Sequence, residues 1–165
     1  MADKFHKKQT PIEFSVDGKP PKKTKPSLWS KGNNQVPLVH ELRKKADEAS
    51  KNAELHESLQ GPVKLTLTVF HHNPLERKDR DDYLGDLDAL IGGVIEVLQP
   101  LPDEINKLEI DPLLKEKNDN KQGISSIITD DAQITTTISQ KRNNIKKKEP
   151  YYTVLIEKDY EFWWI

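Results

Sequence analysis

Apolar and polar residues alternate along three stretches of the chain, which is the two-residue period of a β-strand with one buried face. The alternating apolar positions are Ile12, Phe14 and Val16, then Val63, Leu65, Leu67 and Val69, and finally Tyr152, Val154 and Ile156. Residues 124–128 and 134–138 are also rich in isoleucine, and 134–138 contains three threonines as well. This composition indicates further β-structure on both sides of Asp130 and Asp131.

Two other segments have the spacing of amphipathic helices. In residues 37–59 the apolar positions are Leu38, Leu42, Ala46, Ala49, Ala53 and Leu59, and Gly61-Pro62 follows. Residues 89–99 read ALIGGVIEVLQ before Pro100, and Asp88 is the predicted N-cap of this second helix. The element order is therefore β-α-β-α-β-β. It predicts an α/β fold of the two-layer α+β type, with a small mixed sheet of about four strands and two helices.

The length of 165 residues suits one domain. We predict a flexible tail over residues 1–10 and a single domain over 11–165, with an insertion at about 100–124. Residues 18–36 are rich in proline, lysine, glycine and asparagine, which is typical of a long mobile loop. Trp29 is the residue expected to fasten this loop to the core.

Composition excludes several classes of protein. There is no cysteine, so disulfide scaffolds, cysteine-ligated zinc sites and thiol nucleophiles are ruled out. The longest apolar run is about half of what a membrane crossing needs, and the amino terminus lacks an apolar signal core, so we expect a cytoplasmic protein without a membrane partner. No glycine-rich dinucleotide fingerprint or phosphate-binding P-loop is present, which argues against a nucleotide cofactor.

Charge is segregated along the chain although the formal net charge is only −1. Seven lysines lie between Lys4 and Lys25, and five basic residues lie within 141–148. Acidic residues are concentrated at Asp79, Asp81, Asp82, Asp86 and Asp88. Two interpretations remain open at this point: solvated charged loops, or basic loops around an acidic site that handles phosphodiesters.

The acidic residues that carry this second interpretation are Asp86 and Asp88, together with Asp130 and Asp131. If Asp86 and Asp88 lie in an extended stretch, their two-residue spacing places both carboxylates on one side. A third carboxylate from a neighbouring strand would complete an oxygen site suited to Mg²⁺ or Mn²⁺. The alternative is that these aspartates are helix caps or solvated loop residues.

The segment GDLDALIGGVIEVLQ, followed by DDAQI, resembles the RusA family of Holliday-junction resolvases. That family's motif reads roughly D-L-D-N-x-x-K-x-x-x-D-A-L and then D-D-x-Q-V, and the opening IEFSVDGKPPKK is similar to its first strand and basic loop. The resemblance implies a homodimeric endonuclease, dependent on Mg²⁺ or Mn²⁺, that nicks branched DNA symmetrically. By position it implies that Asp86, Asp88 and Asp131 are catalytic metal ligands, with Asp130 beside them.

The chain departs from the motif at Ala89, Gly92 and Glu96, where the family has Asn, Lys and Asp. The missing lysine would lie one helical turn beyond Asp88, placed to hold the scissile phosphate or to protonate the leaving oxygen. Other cations would have to replace it, and the candidates are Lys78, Arg80, Lys141 and Arg142. These four and the basic loop form the predicted DNA-binding set: Lys19, Lys22, Lys23, Lys25, Lys78, Arg80, Lys141 and Arg142. The alternative is a degenerate member that acts as a DNA-binding or protein-interaction module.

Two further candidates are weaker. His71 or His72 with Asp79 or Asp81 would suit a transition-metal site, but adjacent strand residues point to opposite faces, and a solvent-exposed strand end is the simpler interpretation. The tryptophans, Trp29 and Trp163-Trp164, would suit base stacking, although core or dimer packing is the commoner fate of such residues.

Overall fold

The described part of the protein forms one four-stranded sheet with two α-helices. The computed structural model describes residues 9–25, 27–72, 84–101 and 126–161. In chain order the elements are β1 (Ile12–Asp17), α1 (Val36–Asn52), β2 (Val63–His71), α2 (Leu87–Leu98), a 3₁₀ turn (Asp131–Gln133), β3 (Ile134–Asn143) and β4 (Tyr151–Lys158). The predicted α+β class and the β-α-β-α-β-β order are confirmed.

The sheet is mixed, with the strand order β1-β4-β2-β3. β4 runs antiparallel to both β1 and β2, whereas β2 and β3 are parallel. A parallel pair requires a crossover between its strands, and α2 provides it. α2 therefore runs antiparallel to β2 and β3, and its carboxyl end lies where those two strands begin.

The apolar face of the sheet forms the core together with the helices. β1 alternates strictly between buried and exposed residues, as its sequence pattern predicts. α1 contacts both β1 and α2, and α2 contacts β3, so both helices lie on the same face. Leu42 and Ala46 of α1 and Leu90 and Val94 of α2 are fully buried there.

The start of α2 differs from the prediction. Its N-cap is Asp86, in an extended conformation, and Asp88 lies in the first helical turn. The amide of Leu90 donates to the carbonyl of Asp86 at 3.0 Å, so the helical hydrogen bonds begin two residues earlier than an N-cap at Asp88 would allow. Asp86 and Asp88 are therefore not two positions of one extended segment.

Two other element boundaries also differ. α1 ends at Asn52, well before Leu59, because Glu54 adopts a φ of 56° and the amide of Leu55 turns back to the carbonyl of Ser50. Within 126–128 there is one bridge, between Ile128 and Leu59, rather than a strand. Both isoleucines of that stretch, Ile127 and Ile128, are fully buried.

Several predictions fall outside the described residues. They concern most of the tail, at residues 1–8, most of the insertion, at 102–124, and the cations Lys78 and Arg80. Within the described ranges, neither helix combines the length and the apolar character that a membrane crossing requires.

Candidate functional site

The first pair of predicted site residues lies at the amino-terminal end of α2. Asp86 is the extended N-cap, Asp88 is in the first turn, and both residues are exposed. The first backbone N–H groups of a helix have no intrahelical acceptors, and the helix dipole favours negative charge near them. The amino-terminal end of α2 is therefore an electrostatically favourable position for carboxylates.

The two residues of the Asp130-Asp131 pair have different roles, because Asp130 caps the 3₁₀ turn and Asp131 is exposed beside it. The carboxylate of Asp130 accepts a hydrogen bond from the amide of Ala132 at 2.7 Å and forms a capping box with Gln133. The side-chain nitrogen Nε2 of Gln133 donates to the carbonyls of Leu59 and Gly61, which ties the turn to the segment before β2. Asp130 and Gln133 thus fix the turn, and the exposed Asp131 faces a neighbouring cleft.

The basic loop between β1 and α1 is fastened to α2. The amide of Lys23 donates to the carbonyl of Ala89 at 2.8 Å. Lys22 is held on its other side, because its amide and carbonyl both bond to the side-chain amide of Gln35, at 2.8 and 2.9 Å. The predicted role of Trp29 is confirmed, since this residue is only 1% exposed.

The two glycines of α2 allow this contact. A Cβ atom at Gly93 would lie 2.2 Å from the carbonyl oxygen of Pro21, far inside any van der Waals contact. At Gly92 a Cβ atom would lie 3.3 Å from Cδ of Lys23, because the lysine side chain crosses the helix there. The sequence therefore carries two glycines in mid-helix, at a cost in helix propensity of about 1 kcal/mol each, where the loop approaches the helix backbone.

A cleft of about 670 Å³ opens where the loop, α2 and β3 meet. Its walls contain Lys23 and Lys25 from the loop, Glu96 from α2, and Asp131. The remaining lining residues are Thr24, Ser27, Gly92, Ile95, Gln99, Ala132, Ile134 and Thr137. The carboxylate of Glu96 accepts a hydrogen bond from the amide of Leu28 at 3.2 Å, so it also anchors the loop.

The structure does not bring the three predicted metal ligands of one chain together. Asp131 lines the cleft beside Glu96, and Glu96 is eight residues beyond Asp88, or about 12 Å along the helix axis. Ligands of one Mg²⁺ must each lie about 2 Å from the ion. In the described ranges no group of three His, Asp or Glu side chains is close enough to hold a metal ion. The described residues of a single chain therefore do not fit the implied ion as one site.

The predicted cations on β3 point in different directions. Lys141 pairs in register with the buried Val69, and Arg142 pairs with Phe70 on the opposite face of the sheet. Lys141 thus projects toward the helical face, whereas Arg142 projects away from it and donates to Gln140 at 2.8 Å. Of these two, only Lys141 lies on the side of the sheet that carries α2.

The two adjacent histidines at the end of β2 do face opposite ways. His71 is buried, while His72 is exposed and its ring contacts the carbonyl of Lys148. The transition-metal alternative paired them with Asp79 or Asp81, which are outside the described residues.

Sequence reasoning missed Arg43, a buried residue of α1 that binds the carboxyl end of α2. Its guanidinium donates to the carbonyls of Val97 and Gln99 at 2.9 and 2.8 Å, and lies 4.8 Å from the centre of the Trp29 ring. Burial lowers the pKa of Arg43 from its ordinary value to about 10, and nearby Asp47 partly opposes this shift. A buried cation thus caps the carboxyl end of α2, and nothing in its local sequence distinguishes it from the other basic residues of α1.

No protein-family model matches this chain, and no curated protein matches it. The likeness to RusA resolvases therefore rests on the order and spacing of the motif residues alone.

Proposed function

We propose that this chain is a RusA-type endonuclease that binds branched DNA in the cytoplasm and nicks it as a homodimer in the presence of Mg²⁺ or Mn²⁺. The observation that carries the proposal is the cleft that Lys23, Lys25 and Asp131 line together. A basic loop that tracks the phosphate backbone, placed next to a carboxylate, is the arrangement that a phosphodiester substrate requires.

The motif supports the same proposal. Asp86 and Asp88 lie at the start of a helix, and the Asp130-Asp131-Ala132-Gln133 turn lies at the start of the next strand, in the order that the resemblance implies. A bound Mg²⁺ would stabilise negative charge on the phosphate. The described carboxylates of one chain do not form a group of three around a single ion.

A second candidate function is favoured by two specific observations. The helix position that carries lysine in the motif is Gly92, and Asp131 is separated from Asp86 and Asp88 along α2. Both suit a degenerate member that binds branched DNA without cutting it.

The deciding experiment is nicking of an end-labelled four-way junction, with linear duplex of the same sequence as the control substrate. The wild-type protein is compared with Asp88→Asn and with Glu48→Gln, which removes an exposed carboxylate on α1 away from the cleft. We expect symmetric nicks in Mg²⁺ or Mn²⁺, loss of nicking in Asp88→Asn, and normal nicking in Glu48→Gln.

Other outcomes separate the two candidates. A junction that is bound but left intact in both ions supports the degenerate member and contradicts the endonuclease. A protein that binds neither junction nor duplex overturns both. Light scattering tests the homodimer independently, because a monomer at micromolar concentration could not make paired nicks.

A further inference from the structure

The side chain of Lys23 lies along the groove that Gly92 leaves on α2. Three of its carbons would be the nearest neighbours of a Cβ atom at Gly92: Cδ at 3.3 Å, Cβ at 3.4 Å and Cγ at 4.0 Å. The backbone of the same residue is fixed by its hydrogen bond to Ala89. A lysine held at both its backbone and its aliphatic stem loses less side-chain entropy on binding a ligand than a free surface lysine does.

The ammonium group of Lys23 forms no ion pair within the described part of the protein. The ion pairs among the described residues involve Lys45, Lys51, Lys64 and Lys147, and none involves Lys23 or Lys25. Lys23 and Lys25 thus line one cleft, and Ser27 lines it with them. Ammonium and hydroxyl donors on one wall are the chemistry that binds a phosphate oxygen.

We propose that the cleft is a subsite for one backbone phosphate of DNA, and that Lys23, seated across Gly92, is the cation that binds it. The assignment rests on the DNA-binding part of the proposed function and deepens it. It also explains the Gly92-Gly93 pair: Gly93 admits the loop backbone and Gly92 admits the lysine stem. The aliphatic stem of a loop lysine thereby lies against the helix position at which the motif has a lysine of its own.

Asp131, which lines the same cleft together with Glu96, gives the subsite a second testable property. A carboxylate in the same cleft repels a phosphate when no divalent cation is present. Removing that charge should therefore strengthen binding of metal-free DNA, whereas removing the ammonium of Lys23 should weaken it. A general effect of surface charge would not depend on these particular positions.

The test is the affinity for a fluorescently labelled four-way junction, measured by anisotropy in EDTA over a range of salt concentrations. One phosphate contact contributes about 0.9 to the slope of log K against log salt, or about eightfold in affinity at about 0.1 M salt. We expect Lys23→Met to lose about this much affinity and slope. The matched control is Lys44→Met, which removes an exposed lysine of α1 that does not line the cleft, and should lose much less.

Two further variants test the position of the charged groups rather than the net charge of the protein. Asp131→Asn should bind the metal-free junction more tightly than the wild type. In the double variant Lys23→Met/Gly92→Lys, the ammonium returns to the cleft from the helix, and most of the lost affinity should be recovered. Circular dichroism of each variant confirms that it is folded, and Lys23→Gln replaces Lys23→Met if the latter is not.

The results distinguish this inference from the function on which it rests. If the wild type binds no DNA in low salt, the proposed function fails. If the wild type binds, but Lys23→Met and Lys23→Gln bind as tightly and with the same salt slope, the subsite assignment is wrong and the function stands. Equal losses in Lys23→Met and Lys44→Met would also overturn the assignment, because they would indicate general charge attraction.

Discussion

Replacing Gly93 with alanine should destabilise the protein, although the same replacement at Gly92 should stabilise it. Both glycines lie inside α2, where exchange for alanine favours the helix by about 1 kcal/mol. The two positions differ only in what the added methyl group meets. This adjacent pair therefore isolates the contact between the basic loop and the helix.

The magnitudes follow from the distances. At Gly92 the new Cβ atom lies 3.3 Å from a carbon of the Lys23 side chain, which can rotate aside, so most of the propensity gain should remain. At Gly93 it lies 2.2 Å from the oxygen and 2.7 Å from the carbon of the Pro21 carbonyl, so the loop backbone must move by about 1 Å or more. Overpacking of this kind costs about 1–3 kcal/mol.

Movement of the loop also threatens the hydrogen bond from Lys23 to Ala89, which contributes about 1 kcal/mol. After the propensity gain is subtracted, Gly93→Ala should lower the free energy of unfolding by about 1–3 kcal/mol. Gly92→Ala should raise it by up to about 1 kcal/mol. The expected separation between two neighbouring substitutions is thus about 1–4 kcal/mol.

The assay is urea unfolding followed by far-UV circular dichroism, with trypsin digestion as a second readout. Lys19 and Lys25 precede proline and resist trypsin, so cleavage after Lys22 or Lys23 reports directly on the loop. Gly93→Ala should be cut there faster than either the wild type or Gly92→Ala. Equal stability of the two variants, with equal cleavage, would refute the packing of this loop on α2.

Three further predictions concern the core and the surface. Tyr152→Phe should leave the free energy of unfolding unchanged or raise it by about 1 kcal/mol, because the buried hydroxyl has no hydrogen-bond partner among the described residues; urea unfolding measures this. Arg43→Met should lower that free energy by about 2–3 kcal/mol in the same assay, since two carbonyls at the end of α2 lose their buried donor. The hydrogen bond from Lys147 lowers the pKa of Asp17 below its ordinary 3.8. The pair therefore stabilises the fold at pH values above 3.8, and this stabilisation is lost as the pH falls through the lowered pKa. Asp17→Asn should therefore lower the Tm slightly at neutral pH and have no effect in acid.

The strands were predictable because their pattern is local. Val63, Leu65, Leu67 and Val69 point to one face of a central strand, and alternation alone assigns that face. The start of α2 was harder to place, because Asp86 and Asp88 are both suitable N-caps. The hydrogen bond between Leu90 and Asp86 distinguishes them, and the sequence does not encode it in any visible pattern.

The candidate site was predictable only in part. Its acidic residues and its basic loop stand out in the sequence, whereas the distance between Asp131 and the start of α2 depends on which way the crossover helix runs. The Gly92-Gly93 pair indicates a close approach, but nothing local identifies Pro21 and Lys23 as the residues that approach. The mobile loop expected over 18–36 contains the segment that packs most closely on the helix.

The position of β4 has a consequence for how the chain folds during synthesis. β4 lies between β1 and β2 although it is the last described strand to leave the ribosome, and it pairs Ile12 with Ile156. Until β4 emerges, β1 has no neighbour within the described sheet. Such high contact order slows folding, because long loops must close before their strands gain any contacts. A nascent or truncated chain that lacks β4 would therefore expose the apolar faces of β1 and β2 to chaperones and to other unfinished chains.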